Sequence, residues 1–466
     1  MFEELLMPET WDHESEVVII GAGTAGLCAA IEARKAGADA LVLEQMPKCS
    51  GSLSVCAGNI NFAGSDYQKS QGLKDSPDEY YKDGIESCHG EPAMWRAFVD
   101  NHLDTYKLIV GLGYKPMAIW LLPGHSAQRA HYFEGGGPEL IRLLEKGSKE
   151  LEARILFNHR ATRLILNPQM KRVVGVQVER DRKTVSIKAR KAVIIASGGF
   201  GNNPKMVEEF KGVEYAKRCL PTMRGHTGEG IRMAMSIGVA TSHIGTAAMP
   251  SIPMDANTKN PAAITLHHTL CGAIFVNSQG QRYVNECLQI FPYLGEASFA
   301  QPGDHVYTIY DSTIRELIEL VDWSIYREYK ADTIESLATQ LGIDPEALAG
   351  AIKEYNDDIR KNGYDTKFGK KLLLGHVNKP PVKIEKPPFY GIKLMQCFTS
   401  FKGGLKINPR AQAINQFGNV VPGLYAAGEG AGGLFGEGSY ICGTMICESL
   451  TFGRIAGMNA AAEKGY

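Results

Sequence analysis

What the chain most plainly lacks is an excess of charge of either sign. Fifty Lys and Arg face 51 Asp and Glu, a formal net charge of −1, and no basic stripe stands out, which argues against a nucleic-acid partner. Its ten cysteines never fall into CxxC or CxxCH. That excludes the usual patterns of an iron–sulfur cluster, a zinc knuckle or an attached c-type haem, and it points to thiols in a reducing compartment. No run of about eighteen uninterrupted apolar residues occurs, so no transmembrane helix is expected. The opening "MFEELLMPETWDHES" is acidic and broken by Pro8, unlike a signal peptide or anchor. There is no internal repeat and no low-complexity tail. The expectation is a soluble cytoplasmic protein without a metal centre.

Glycine, by contrast, is abundant: 51 in 466 residues, which invites a search for backbone–ligand contacts. The length predicts two domains. Early in the chain, "EVVIIGAGTAGLCAAIEARKAGADALVLEQ" reads as a buried strand from Val17 to Ile20, the turn Gly21-Ala-Gly23-Thr24-Ala25-Gly26, a helix, and a second strand ending in Glu44. Glycines there allow a tight turn, the approach of a pyrophosphate and the packing of helix on strand; the helix N-terminus offers N–H groups and a positive dipole end. Glu44 stands about twenty residues on, suited to a ribose hydroxyl pair. An acid there argues against a 2′-phosphorylated nucleotide.

FAD and NAD both fit this turn, and the rest of the chain decides between them. "KCSGSLSVCAGNINFAG" follows Glu44 and suits either a flavin edge or a surface loop. "RKAVIIASGGF" (190–200) and "GNVVPGLYAAGEGAGG", with its strand from Leu424 to Ala427, are two further strands that open into glycines. Three such ends are what one elongated dinucleotide crossing a sheet requires.

These stretches, with "TGEGIRMA", "GAIFVNSQGQRYVNE" and "ESLTFGRIAG", run in family order along nearly the whole chain. In them the sequence resembles the flavoprotein family that includes fumarate reductase flavoprotein subunits and 3-ketosteroid dehydrogenases. The resemblance implies an α/β fold: a Rossmann-like, glutathione-reductase-like FAD-binding domain built from both chain ends (13–240 and 396–466, after a 1–12 tail), with an inserted α+β cap domain at 241–395. It assigns to FAD Gly21, Gly23, Thr24, Ala25, Gly26, Glu44, Gln45, Gly51, Ser52, Ser54, Gly58 and Ala161. Further along it assigns Ser197, Gly198, Gly199, Gly228, Gly428, Glu429, Thr444, Met445 and Ile446. Members with covalent flavin carry a histidine in the segment matched by Gly51–Ser54; none stands there, so non-covalent FAD is expected. Within the cap, 333–362 has helical spacing with Pro345 opening a second helix. "NKPPVKIEKPPFYG" (378–391) reads as a hinge or linker returning the chain to the flavin domain.

Compared with the fumarate reductases, four cationic functions are missing. No arginine follows "RYVNE", and "ITLHHTLC" stands where a Glu–Arg relay would precede "GAIFVN". "CFT" (Cys397–Thr399) replaces a histidine motif, and Tyr440 replaces a substrate-binding arginine. A small dianion would be buried unpaired, at high cost, so fumarate is not expected as substrate. What remains is similar to the 4-ene ketosteroid branch. There Tyr440 and the Gly443 N–H would hold a substrate ketone, Cys442 stands where a serine hydroxyl moves a proton, and Tyr293 matches another active-site tyrosine. His267 and His268 read as polar cap residues, and Tyr132 as a structural aromatic.

Cleaving a C–H bond next to a carbonyl builds negative charge on the carbonyl oxygen, which a neutral phenol and an N–H can stabilise. The expected activity is therefore FAD-dependent interconversion of CH–CH and C=C next to a carbonyl, with a 3-oxo steroid as leading substrate and an unidentified electron donor or acceptor. Two alternatives stay open: an enoate or aryl-enone reductase acting on a smaller acceptor, and a flavin-bearing electron-transfer subunit.

Overall fold

The computed structural model describes residues 7–56, 58–219, 224–245, 248–250, 270–287, 291–318, 327–436 and 440–466. The run VVII closes the strand β1 (His13–Ile20), whose last four residues are buried on both faces, as a central parallel strand requires. It pairs in parallel with β2 (Ala40–Glu44) on one side and with the strand Lys183–Ile195 on the other. Val420–Ala426 extends the same sheet, again in parallel. The order across it is 412–414, 420–426, 183–195, 13–20, 40–44 and 154–157, with 160–167 and 172–180 as an antiparallel branch.

Register brings the three glycine-bearing ends together. Ile20 lies opposite Ile195, and Ile195 opposite Ala426. Gly21, Ser197–Gly199 and Gly428 therefore leave the sheet side by side, although they are far apart in the chain.

Between β1 and β2 runs the helix α1 (Thr24–Lys35), nearly every residue of which from Ala25 to Ala33 is buried. Its small side chains let the helix Thr444–Ala462 come very close. A Cβ on Gly453 would lie 2.4 Å from the Ala25 carbonyl oxygen, and one on Gly457 would lie 2.3 Å from that of Ala29. Segments from opposite ends of the sequence thus meet against one face of the sheet.

A second sheet, four-stranded and antiparallel, orders 274–276, 305–311, 389–395 and 329–331. Beside it lie the helices Ile334–Leu341 and Pro345–Asn362; Asp344 caps the second through its carboxylate, with Pro345 at the first turn as anticipated. The proline-rich 378–391 segment, read as a hinge or linker, is held by hydrogen bonds at its centre. Asn356 brackets Ile384 on both its N–H and its carbonyl, and the Asp311 carboxylate accepts from the N–H groups of Glu385 and Lys386. These bonds bind the segment to the second sheet and its helices. The crossings between the sheets are made instead by two antiparallel contacts, 241–242 with 404–405 and 248–250 with 398–401. Among the described residues no helix is long and apolar enough to cross a membrane, no group of three or more His, Cys, Asp or Glu could hold a metal ion, and no disulfide joins the cysteines.

Candidate active site

A cleft of about 530 Å3 opens where the three strand ends emerge. Gly21 has φ +105°, and a Cβ there would lie 2.5 Å from the Ala196 carbonyl oxygen; only glycine makes this turn. Gly26 sits so tightly that a Cβ would meet the Gly21 carbonyl oxygen at 1.9 Å, which fixes α1 against β1. The N-cap of α1, Gly23, carries no side-chain cap, so the first-turn N–H groups and the dipole end face the cleft. Glu44, at the end of β2, accepts from Ala22 N–H at 2.8 Å and from Met46 N–H at 2.8 Å. Burial nevertheless pushes its carboxyl pKa up. The buried Ser197 hydroxyl lines the cleft and has no hydrogen-bond partner among the described residues. An uncapped helix start, an acid at the second strand's end and an orphaned hydroxyl between them fit a dinucleotide with its pyrophosphate at α1.

The cleft is lined by Gly21, Gly23, Thr24, Ala25, Glu44, Gln45, Gly51, Ser52, Ser54 and Ala161, and further by Ser197, Gly198, Gly428, Glu429, Met445 and Ile446. Five residues expected at the cofactor lie behind this lining. Gly26 packs under the first turn, and Gly58 fits against the Gly137 N–H. Gly199 backs onto the Glu429 carboxylate, and Gly228 caps the helix Glu229–Ser236. The Thr444 hydroxyl is taken by Asn61 Nδ2 at 3.1 Å and by the Tyr80 hydroxyl at 2.8 Å.

Tyr440, Cys442 and Gly443 all line the cleft. Tyr440 is buried, and its phenol oxygen accepts from the Gly443 N–H at 3.2 Å. The two groups expected to meet a ketone side by side are therefore bonded to each other. Gly443 has φ +80°, and a Cβ there would lie 2.7 Å from both Asn59 Nδ2 and Asn61 Oδ1. The Cys442 carbonyl is held by Asn61 Nδ2 at 2.7 Å, with His125 Nε2 also 2.7 Å away. Burial pushes the Cys442 thiol up to about 12, so it is not a thiolate near neutral pH. Tyr293 is 56% exposed and is not part of the lining; the helix carrying it, Phe291–Phe299, leaves its ring in solvent. Tyr132 is a buried aromatic packed against Trp120 in a tilted arrangement, at 4.3 Å between ring centroids. His267 and His268 lie outside the described residues.

Around Glu429, which the sequence reading assigned to the cofactor, stand two residues that it missed, His226 and Lys402. Glu429 is buried; Ser52 Oγ donates to it at 3.0 Å, and His226 Nδ1 stands 3.5 Å away. Burial alone would raise its pKa, but His226, Lys402 and the Ser52 bond outweigh that and hold it at about 2. Lys402, only 3% exposed, lines the same cleft, with its Nζ 5.4 Å from the Tyr440 ring centroid. Its buried position comes from the crossing strand 398–401, a long-range pairing with no local signature.

A family model described as "FAD binding domain" matches residues 16–446. A fumarate reductase (cytochrome) of Shewanella frigidimarina is 29% identical over 96% of this chain and 77% of its own length. A vinyl phenol reductase of Lactiplantibacillus plantarum is 27% identical over 96% of this chain and 97% of its own. The structure of a 3-ketosteroid-Δ4-(5α)-dehydrogenase from Rhodococcus jostii in complex with 4-androstene-3,17-dione superposes with a TM-score of 0.78 at 25% identity, covering 98% of both chains. The chain belongs to the FAD binding domain family and is an FAD-dependent oxidoreductase acting on carbon–carbon double bonds.

Proposed function

We propose that the protein interconverts CH–CH and C=C next to a carbonyl group whose oxygen is held by Tyr440. The observation that carries this reading is the buried phenol in the wall of the FAD cleft, tied to the Gly443 N–H at the start of the helix Thr444–Ala462. Bound FAD supplies the hydride acceptor or donor. The protein's own contribution is to place the carbonyl and to stabilise charge as it develops on the oxygen. The phenol donates to that oxygen, and the Gly443 N–H, donating to the phenol oxygen, polarises the O–H in series. Burial of Tyr440 and Cys442 keeps water away and strengthens the bond. Asn61, by gripping the Cys442 carbonyl, fixes the turn and so the direction of the phenol. The thiol of Cys442, protonated near neutral pH, is a packing group.

Two acceptor classes fit. A neutral ketone, with a 3-oxo steroid as the leading example, is favoured by a phenol where a fumarate reductase carries an arginine. The likeness to the ketosteroid dehydrogenase structure supports the same class. A smaller enoate is favoured by Lys402, a cation the sequence reading did not place in the cleft.

The test is anaerobic reoxidation of the chemically reduced protein by a 4-en-3-one steroid, an aryl enone and a 2-enoate. We expect at least one to reoxidise the flavin rapidly. If all three leave the flavin reduced while a small artificial electron acceptor reoxidises it, the protein is an electron carrier and the reading fails.

A further inference from the structure

Lys402 is a buried charge without an ion pair among the described residues. Its Nζ is buried, it donates a long hydrogen bond to Ser400 Oγ at 3.4 Å, and no carboxylate among the described residues comes within 4.0 Å of it. Glu429 acts on Lys402 through its field but makes no ion pair with it; one of its oxygens accepts from Ser52, and His226 Nδ1 stands 3.5 Å from it. Burial lowers the Lys402 pKa, and Glu429 and Glu448 offset this only in part. Glu448 offers little charge, since burial pushes its own pKa up to about 8. Leaving an ammonium buried and unpaired is costly, so an anion delivered by a ligand would relieve a strain that the fold itself leaves unresolved. Its place in the cleft says which part of a ligand that is. It lies over the ring of Tyr440, the residue assigned above to the substrate's carbonyl oxygen.

We propose that Lys402 is the carboxylate-binding residue of this site and that the substrate is a monoanionic α,β-unsaturated acid, its carboxylate held between the Lys402 ammonium and the Tyr440 hydroxyl. The inference rests on the reading of Tyr440 given above. In the reductive direction the β carbon gains a hydride from two-electron-reduced FAD and the C=C π pair moves onto the α carbon and the carboxylate. The α carbon then takes a proton supplied by solvent, leaving a saturated acid and oxidised FAD. For an enone the oxygen passes from neutral to singly negative, which a phenol can meet alone. For an enoate it passes from one negative charge towards two, and there a fixed cation stabilises the transition state more than the ground state. A single buried ammonium matches a monoanion: the arginines of the lining, Arg160 and Arg224, are exposed.

The experiment compares acrylate, crotonate and cinnamate with their methyl esters as oxidants of the reduced holoprotein, in the parent, Lys402→Met and Lys402→Arg. Binding of 3-phenylpropanoate to the oxidised holoprotein, read from the flavin absorption spectrum, is followed in parallel. We expect at least one acid to exceed its ester in kcat/KM by about 30-fold or more, the effect of one buried charge pair. Lys402→Met should erase that advantage and the spectral change together, slowing the acids far more than the esters; Lys402→Arg should restore part of both. Esters that match or exceed their acids in the parent overturn the proposal. So does an equal slowing of acids and esters in Lys402→Met, which would assign the ammonium to the cofactor. If the saturated acid binds through Lys402 but no acid or ester reoxidises the flavin, the anion site stands and the proposed reaction fails. If no acid either binds or turns over, the anion site falls.

Discussion

Two of the buried groups of charges among the described residues are built on opposite principles. Beside the four-stranded sheet, Arg282 meets Glu286 at 3.1 Å and Asp365 at 3.0 Å, while Lys370 meets Glu286 at 3.0 Å; the four side chains are at most 3% exposed. Burial alone would raise the Glu286 pKa, but Arg282 and Lys370 reverse that and hold it below the usual range. The Phe275 N–H and the Ala273 carbonyl complete the set. Every charge there has its opposite. In the FAD cleft, Lys402 and Glu429 are equally buried, yet Lys402 is left without an ion pair. A closed group of charges specifies a fold; one left open waits for a ligand.

The comparison breaks most visibly if one member of the closed group is removed. Lys370→Met should leave Glu286 undercompensated and destabilise the protein by about 3–5 kcal/mol, measured by urea denaturation of the cofactor-free protein. Next in size is Tyr440→Phe, which keeps the ring in place and removes one donor. The turnover rate on the best acceptor should fall on the order of a hundred- to a thousandfold with FAD retained; a rate close to the parent's would remove Tyr440 from the reaction.

A third prediction concerns Glu448, whose folded pKa is raised from 4.5 to about 8 by burial. Because the folded value exceeds the unfolded one, the stability it permits is complete below about pH 4.5 and is lost as pH rises towards 8 and beyond. Glu448→Gln should flatten that decline, leaving the variant roughly 1–3 kcal/mol the more stable at pH 8.5 and nearly equal to the parent at pH 4.5. Thermal melts across this range would show it. The smallest effect sharpens the contrast with Lys370: Lys402→Met should leave the stability of the cofactor-free protein within about 1 kcal/mol of the parent, or slightly higher.

The cofactor half of the site was readable because its signals are local. A buried run followed by glycine, as in VVIIGAG, carries strand, turn and helix start within ten residues, and parallel pairing then had to align Ile20, Ile195 and Ala426. The substrate half depends on contacts that sequence does not print. In "FKGGLK" Lys402 looks like any surface lysine, and only the pairing of 398–401 with 248–250 buries it. The segment 378–391 looked like a hinge because its prolines speak of turns, whereas Asp311 and Asn356, distant in the chain, bind it down. Tyr293 was placed by motif register, which fixes position along the chain and says nothing of which way a helix turns its face.

The glycine contacts between α1 and the helix Thr444–Ala462 have a consequence for biosynthesis. Residues 24–35 are made well before the surface they need, which arrives only with Gly453 and Gly457; at roughly 5–20 residues per second that is a wait of about 20 to 90 seconds. Until then the first βαβ unit has its apolar helix uncovered, and closure across so long a loop makes assembly slow. A nascent chain stalled before residue 444 would thus carry the dinucleotide turn yet expose the flank of α1, a natural target for chaperones and proteases.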